Sequence, residues 1–423
     1  IGNRNKFSIN LYGPARSKPE FHQIANLFSP TTIDQSYLHD GKGVAGGIKN
    51  AQDEWDLQGH ANRILFVGDE QLAVYAQLYD EPGTPPRRAR LPALHTGQLS
   101  IVLEKLASYP IKLADLGDRY CPTPSTCWNE KMAQDAGSII RNVDRSAPFP
   151  GQPENLVLSG PHFTLANPLY QTPKAICSTH RAYDGLDLEA LPDAYLARSN
   201  FRPMENRVEY ASRTARVSWS EDEVLNLSWT QLTREEQMAQ VGREGHAVSV
   251  IRSRQKRITE FFRYFQRRRI STSMERTLIS TIAPPGVAHI NPVLSLTFKN
   301  SIEMANFTGL THSIVYDFFV KSTGLGDLFD STLSRLPYFD SNSILIRSVA
   351  LNCLTSYYAA LWADVFATLQ KSALVGRRTD NEGHPFTTQT WSQPNNPRLP
   401  HDFFAQLTPD WQRRCALRTD YAR

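Results

Sequence analysis

The chain has 423 residues, of which 40% are hydrophobic and 21% charged, and this composition describes a soluble globular protein with room for two or three domains. Its most apolar segment, residues 344–369, is interrupted by polar and charged side chains, which excludes a membrane span. The five cysteines are scattered without the spacing of a zinc site or a disulfide framework, so we expect a reducing, cytoplasmic location. The sequence begins without Met and ends in a helix-like pattern, and we expect both ends to be cut.

The first 110 residues predict a strand followed by two helices. Residues 64–67 are typical of a short buried strand, and Asp69 is placed to cap a helix that continues to Tyr79. Thr96 is placed to cap a second helix, whose leucines and valine recur at helical spacing until the chain reaches Pro110. These helices are expected to build core and carry no recognisable chemistry.

Beyond this region the pattern changes from helical to strand-like and back again. Short apolar runs separated by Pro, Gly, Ser and Asn predict a loop-rich sheet domain between residues 112 and 300, with runs at residues 156–158, 215–219, 277–283 and 293–298. Helical spacing then returns at residues 309–323, closed by Gly324, and at residues 343–371. Residues 376–400 predict a long exposed loop. The fold class is therefore mixed α/β, of the α+β type.

The most distinctive stretch, residues 252–276, is called the basic aromatic segment below. Aromatic side chains lie between its positive charges, an arrangement that suits a polyanion with stackable rings. The whole chain carries a net charge of only +4, so its basic character is concentrated here. The segment contains Arg252, Arg254, Lys256, Arg257, Arg263, Arg267, Arg268, Arg269 and Arg276, against Glu260 and Glu275.

Two structures are compatible with this segment. One is a nucleic-acid-binding surface, which the bias of the chain towards Arg (34, against 12 Lys) also favours, although a biased genome produces the same ratio. The other is a solvated helical face whose aromatic side chains point inward, because Phe261, Phe265 and Arg268 follow a helical period.

Apparent catalytic motifs are incomplete. Gly41, Gly43 and Gly46 spell GxGxxG, but no convincing strand precedes them and no amphipathic helix follows, so a glycine turn is the better interpretation. Residues 167–170, Asn-Pro-Leu-Tyr, lack the second Pro of the Asn-Pro-Pro-Tyr motif by which amino-methyltransferases hold a flipped base. No histidine spacing indicates a metal site, and no GxSxG frames a serine nucleophile. We assign no catalytic, cofactor-binding or metal-binding residue.

Five phrases of the sequence resemble, in the same order, the part of large N6-adenine DNA methyltransferases that lies downstream of their catalytic motif. These are the class I, γ-type enzymes of restriction-modification and DISARM-like phage-defence systems, related to the combined cleavage-and-methylation enzymes of type IIG. The phrases are IGNRNKFSINLYGP, LVLSGPHFTLANPLYQTPK, ERTLISTIAPPGVAHINPV, FTGLTHSIVYDFFVKSTGLGDL and ILIRSVALNCLTSYYAALW. The resemblance covers nearly the whole chain, whereas the upstream S-adenosylmethionine loop and catalytic motif of the family are absent from it.

The resemblance implies a division into four regions. Residues 1–110 would be the C-terminal part of, or an extension to, the methyltransferase domain, and residues 111–300 a target-recognition domain. Residues 301–375 would be a helical support region, and residues 376–423 a loop and a truncated C-terminal helix. S-adenosylmethionine would be bound outside this chain, and the partner would be double-stranded DNA, with restriction or helicase subunits of a defence system as further partners and no membrane.

The resemblance also places the basic aromatic segment inside the DNA-reading part. Its basic residues are then expected to bind backbone phosphate, with one or two reaching guanine. Arg276 has a second interpretation as a structural residue bonded to carbonyls of the nearby Pro-Pro turn. Lys174, Arg198 and Arg202 are secondary candidates for DNA contact. Two other functions stay open: a non-catalytic specificity subunit that works with a separate methyltransferase, and a helical scaffold that presents residues 344–371 to a protein partner.

Overall fold

A computed structural model describes residues 8–50, 52, 54–163, 171–186, 191–217, 256–271 and 276–374. The chain divides between Pro110 and Ile111 into two compact units. Helices and small, mostly antiparallel sheets are combined, so the mixed α/β class is confirmed. Within the described ranges no helix has the length and apolarity that crossing a membrane requires.

The first unit confirms the predicted strand and both predicted helices. In chain order its elements are β1 (Phe21–Gln23), α1 (Thr31–Leu38), β2 (Leu65–Val67), α2 (Asp69–Tyr79) and α3 (Gln98–Ser108). Strands β1 and β2 pair antiparallel. The predicted caps are each one residue out of place, because α2 and α3 are preceded by Gly68 and Gly97 in the capping position. At Gly68 the cap is completed by Gln71, whose side chain accepts a hydrogen bond of 3.2 Å from the Gly68 amide.

The second unit is built around one four-stranded antiparallel sheet. The strands of the whole second unit are β3 (Tyr120–Pro122), β4 (Ile139–Arg141), β5 (Val157–Leu158), β6 (Gln171–Pro173), β7 (Tyr183–Gly185), β8 (Phe201–Pro203), β9 (Arg263–Arg267), β10 (Ser280–Ala283), β11 (Ala288–His289) and β12 (Val293–Phe298). Its helices are α4 (Glu130–Asp135), α5 (Arg207–Arg213), α6 (Ser301–Thr311), α7 (Ile314–Ser322), α8 (Asp330–Leu333), α9 (Asn342–Asn352) and α10 (Ala359–Leu374). The central sheet has the order β10-β9-β12-β3, and two-stranded pairs β4-β8, β5-β11 and β6-β7 accompany it.

The described part of the basic aromatic segment is not a helical face. Residues 263–267 form β9, an interior strand hydrogen-bonded to β10 on one side and β12 on the other. Tyr264 faces α6, with its ring 5.1 Å from that of Phe307, whereas Phe265 faces the opposite layer and lies 4.9 Å from the ring of His289. Because both faces of β9 are covered, its aromatic side chains build core, and the helical interpretation is wrong.

The predicted strand at residues 293–298 is confirmed as β12, whereas the two long predicted helices are each interrupted. The helix expected at residues 309–323 is divided into α6 and α7, with Ser313 capping α7 by accepting a hydrogen bond from the Tyr316 amide. The helix expected at residues 343–371 is divided into α9 and α10. The interruption follows Asn352, whose side-chain oxygen accepts hydrogen bonds of 3.0 Å from the Ile282 amide and 2.9 Å from the Thr281 hydroxyl. Residues 376–400, expected to form a loop, lie outside the described residues.

Gly309 allows α6 and α9 to cross closely. A Cβ atom at this position would lie 2.5 Å from the Ile344 Cγ2 atom and 2.9 Å from the Ile344 carbonyl oxygen. Both distances are below van der Waals contact, and one of the two atoms belongs to the backbone, which cannot rotate away. The absence of a side chain at Gly309 is therefore what positions α9 against the helix that covers the sheet.

His289 is buried on the other side of the sheet. Its ring stands edge-on to Trp128 and Phe265, at 4.8 and 4.9 Å between centroids. The Nδ1–H group donates to the Ile290 carbonyl at 3.1 Å, so Nε2 accepts from the Ser295 hydroxyl at 2.8 Å. Burial and the nearby Arg263 lower the pKa of His289 from 6.5 to about 3, and the ring is therefore neutral in the folded protein.

Acid is expected to destabilise the second unit through this histidine. Below pH 6.5 the unfolded chain binds a proton at His289, whereas the ring stays neutral in the folded chain. The free energy of unfolding therefore has its full value above that pH and falls as the pH decreases towards 3. The loss attributable to one such group is at most about 1.4 kcal/mol per pH unit. Urea unfolding of the wild type and of His289→Gln between pH 7 and 4 checks this, because Gln does not titrate and its profile should be shallower. Parallel profiles would contradict the assignment.

Candidate nucleic-acid interface

Arg263, the first residue of β9, has no exposed surface. Its Nη2 group donates to the Val287 carbonyl, and the guanidinium lies 5.4 Å from the Trp128 ring centroid and 4.9 Å from that of Phe265. Burial lowers its pKa to about 10, which leaves the side chain charged at neutral pH. Arg263 was predicted to bind phosphate. In this structure its side chain is enclosed by protein, so it is out of reach of DNA.

Arg276 has a structural role, but different partners from those expected. It is buried beside Asp317, with 3.4 Å between Nε and the carboxylate, and it donates to the His312 carbonyl at 2.8 Å. The same carboxylate oxygen of Asp317 accepts hydrogen bonds of 2.7 Å from the amides of Thr277 and Leu278. Arg276 therefore bonds to α7 and to the residue that precedes its cap, instead of to the Pro-Pro turn. It joins the chain entering β10 to α7 and is not available to phosphate.

The three consecutive arginines at the end of β9 differ in exposure. Arg267 is partly buried and donates to the Phe163 carbonyl at 3.0 Å, and burial lowers its pKa. Arg268 lies 4.7 Å above the ring of Phe329. The side chain of Arg269 is 75% exposed and forms an ion pair of 3.3 Å with Asp327. Of the three, Arg269 is the residue best placed to reach an external polyanion.

The start of the basic aromatic segment is only partly described. Arg252 and Arg254 lie outside the described residues. Lys256 is exposed, with its ammonium group 5.9 Å from the ring centroid of Phe261. Arg257 is half-buried and pairs with Glu260 at 3.0 Å, so its charge is matched within one turn.

The structure brings two secondary candidates, exposed Lys174 and half-buried Arg198, into one basic area. The Arg198 amide donates to the Thr172 hydroxyl at 2.9 Å, which fixes its backbone two residues from Lys174 on the β6-β7 hairpin. Its guanidinium donates to the Ala147 carbonyl at 3.1 Å and lies 4.1 Å above the exposed ring of Phe149. Lys174 is exposed and pairs loosely with Asp184 at 3.4 Å.

Two further arginines belong to this area and were missed by the sequence analysis. Arg145 is exposed and lies beside the hairpin, since the Cys177 amide donates to its carbonyl at 2.8 Å and its own guanidinium donates to the Ser178 carbonyl at 3.3 Å. Arg181 is exposed on the turn between β6 and β7. We call this area the hairpin surface; it comprises Arg145, Phe149, Lys174, Arg181 and Arg198.

No local signal in the sequence identifies the hairpin surface, because its members are up to 53 positions apart. They meet through backbone pairing between residues 146 and 176, which single-sequence periodicity does not reveal. Arg202, the third secondary candidate, lies on β8 opposite Ile140 and pairs with Glu205 at 3.0 Å. It is exposed, with its charge matched by a neighbour.

The incomplete glycine motif gains no support from the geometry. Gly41 and Gly43 have positive φ angles of 79° and 85°, as expected for a glycine turn, and no helix begins in the residues described between α1 and residue 60. A cofactor loop between a strand and a helix therefore does not fit this place. Residues 167–170 lie outside the described residues. Where the structure describes side chains, no three His, Cys, Asp or Glu residues gather as a metal site would require.

Comparisons with known proteins do not assign the chain to a family. No protein-family model matches it, and no curated protein matches it significantly.

Removing Asp317 is expected to destabilise the protein far more than removing an exposed arginine. Asp317→Ala leaves Arg276 as an unpaired buried charge and two amides without an acceptor, at a cost of about 3 to 5 kcal/mol in the free energy of unfolding. Arg269→Ala breaks only a largely exposed pair and should cost no more than about 1 kcal/mol. Urea unfolding of both variants measures the difference. Equal losses in the free energy of unfolding would show that the buried pair of Arg276 and Asp317 contributes no more to stability than the exposed pair.

Proposed function

We propose that this chain is the DNA-recognition part of a site-specific, S-adenosylmethionine-dependent DNA adenine-N6 methyltransferase of a restriction-modification or phage-defence system. In this proposal the chain binds duplex DNA, and a catalytic domain outside it methylates an adenine flipped out of the helix. The proposal rests on the order of the five family-like phrases. The observation that supports a physical site is the hairpin surface, where Arg145, Lys174 and Arg181 are exposed and half-buried Arg198 lies above the exposed ring of Phe149.

Three of the five family-like phrases supply core elements of the second unit. The phrase at residues 275–293 supplies β10 and β11, and the phrase at residues 307–328 supplies the C-terminal part of α6 and all of α7. The phrase at residues 344–362 supplies most of α9. Because these phrases supply core elements, the resemblance concerns the fold and supports a shared scaffold. The DNA-contacting residues then have to be found on the surface.

The hairpin surface has the chemistry that a phosphate backbone requires. Arg145, Lys174, Arg181 and Arg198 offer positive charge, and Arg198 is held in place by the Ala147 carbonyl and the ring of Phe149. The acidic neighbour Asp184 pairs with Lys174 in an exposed contact worth about 0 to 1 kcal/mol, which a phosphate can replace. Such contacts fix the position of a protein on the duplex, and base contacts then add sequence preference.

Methyl transfer is assigned to a part outside this chain. The resemblance places the S-adenosylmethionine site and the base-holding motif upstream. What this chain contributes in the proposal is positioning: it holds the duplex so that the target adenine meets the catalytic domain.

Duplex binding is expected to be salt-dependent and to require the hairpin surface. The test variant is Lys174→Gln with Arg181→Gln, because both side chains are exposed and neither supports the core. Each lost phosphate contact should reduce the slope of log affinity against log salt by about 0.9, so the double variant should bind more weakly with a slope shallower by up to about 1.8. Fluorescence anisotropy with a labelled duplex at several salt concentrations measures this.

The matched control is Arg88→Gln with Lys131→Gln, which removes the same charge at exposed positions outside the hairpin surface. The control should bind like the wild type. If the two double variants bind equally well, the hairpin surface is not the interface. If the wild type shows no duplex binding at low salt, the DNA-recognition function fails for this chain.

The chain alone is expected to transfer no methyl group. Incubation with duplex DNA and S-adenosylmethionine labelled in its methyl group should leave the DNA unlabelled, whereas the intact protein should label adenine at N6. Labelling by the chain alone would contradict the assignment of chemistry to another part. An intact protein that binds DNA but never methylates would favour the non-catalytic specificity subunit.

A further inference from the structure

A tight turn at residues 142–145, beside the hairpin surface, projects an apolar side chain into solvent. The Arg145 amide closes the turn by donating to the Asn142 carbonyl at 3.1 Å, and Val143 follows Asn142 at its first corner. Val143 is 95% exposed, so it contributes almost nothing to packing. Corners of turns usually carry Pro, Gly, Asn, Asp or Ser, and a β-branched residue supplies none of their turn chemistry.

Hydrogen bonds hold this turn in one conformation. The side-chain amide of Asn142 donates to the Ser146 carbonyl at 2.9 Å. The carboxylate of Asp144 accepts from the Ser146 amide at 3.0 Å and from the Ser146 hydroxyl at 2.7 Å. The chain that leaves the turn is paired with the next segment, because the Ala147 amide donates to the Ala175 carbonyl at 2.8 Å. The valine therefore projects from a fixed base.

Arg145 ends the turn in the left-handed backbone region, with a φ angle of 61°. Glycine or asparagine is the usual residue at such a position, and a side chain as large as arginine is strained there. The guanidinium donates to the Ser178 carbonyl at 3.3 Å, which directs it along the hairpin surface. The strained residue thus supplies a positive charge two positions after the projecting valine.

The charges around the valine suit a groove of nucleic acid. Exposed cations, among them Arg145 and Lys174, attract phosphate to the surface beside the turn. Asp144 places a negative charge at the tip itself, which disfavours phosphate at that point. A second apolar side chain, Ile176, is 59% exposed on the segment paired with the chain leaving the turn. Phosphate is therefore favoured beside the tip, and base edges are favoured at it.

We propose that Val143 acts as a wedge that enters a base step of duplex DNA and kinks it, while the cations of the hairpin surface bind the neighbouring phosphates. This inference rests on the proposed function and adds how the duplex is held. Apolar side chains that enter a base step partly unstack it and bend the duplex by about 20 to 90°.

An anionic lipid surface is the other partner that accepts apolar side chains among cations. Binding to a membrane strengthens with the apolar area that is buried, and Val143 and Ile176 are two small aliphatic side chains. A base step, in contrast, is opened by a single side chain held on a fixed base. The small apolar area and the hydrogen-bonded turn favour DNA.

The test compares a short intact duplex with the same duplex carrying one central mismatch, which keeps every phosphate. The wild type should bind the mismatched duplex about tenfold more tightly, because a weakened step costs less to open. Val143→Ser should bind both duplexes equally, with the salt dependence of the wild type, since the phosphate contacts remain. Fluorescence anisotropy gives the affinities. Energy transfer between dyes at the two ends of the intact duplex should increase on binding of the wild type and stay unchanged with Val143→Ser.

Two further variants separate a wedge from a general surface effect. Val208→Ser changes a valine that is 82% exposed on α5, outside the hairpin surface, and it should bind and bend DNA like the wild type. Val143→Leu keeps an aliphatic side chain at the tip and should retain the preference for the mismatch.

The outcomes distinguish this inference from the proposed function. If the wild type binds both duplexes equally and does not bend the intact one, the wedge is overturned while duplex binding stands. If the wild type binds no duplex at low salt, the proposed function and the wedge both fail. Binding to vesicles of phosphatidylserine and phosphatidylcholine that requires Val143, without duplex binding, would assign the turn to a membrane surface and overturn the proposal.

Discussion

The second unit depends on the burial of a positively charged strand in the middle of its sheet. Strand β9 is hydrogen-bonded on both edges and covered on both faces, and it carries Arg263 into the interior. Backbone pairing satisfies the amides and carbonyls of β9, while two aromatic rings and the Val287 carbonyl surround the guanidinium. Because a buried charge without its partners is costly, displacing any of these neighbours lowers the stability of the whole sheet.

The sequence predicted elements well where local pattern and tertiary packing agree. Residues 293–298 form a strand because alternate side chains suit both the α6 layer and the opposite layer, and α2 and α3 follow their apolar spacing. The basic aromatic segment shows why the rest was not predictable. A run of arginines looks the same whether a guanidinium contacts solvent, as in Arg269, or rests between aromatic rings, as in Arg263.

The helices are also joined to the sheet by contacts that the sequence pattern does not reveal. Asn352 and Asp317 each accept two hydrogen bonds from the chain around β10, and Tyr358 donates to the Ile282 carbonyl at 2.9 Å. These contacts join residues 39 to 76 positions apart in sequence, so helical periodicity carries no trace of them. They join the helices to the edge of the sheet. In the continuous helix expected at residues 343–371, the side chains of Asn352 and Tyr358 would point in different directions.

Core and surface residues therefore have different roles in this unit. The arginines that are closest together in sequence mainly stabilise the sheet and its helices, whereas the cations of the hairpin surface come from three separate segments. A surface assembled in this way depends on the pairing of those segments. This arrangement suits a recognition module, in which a stable scaffold presents a surface whose residues vary with the target. If the proposed function holds, target preference should be altered by changing hairpin and loop residues while β9 and its neighbours are retained.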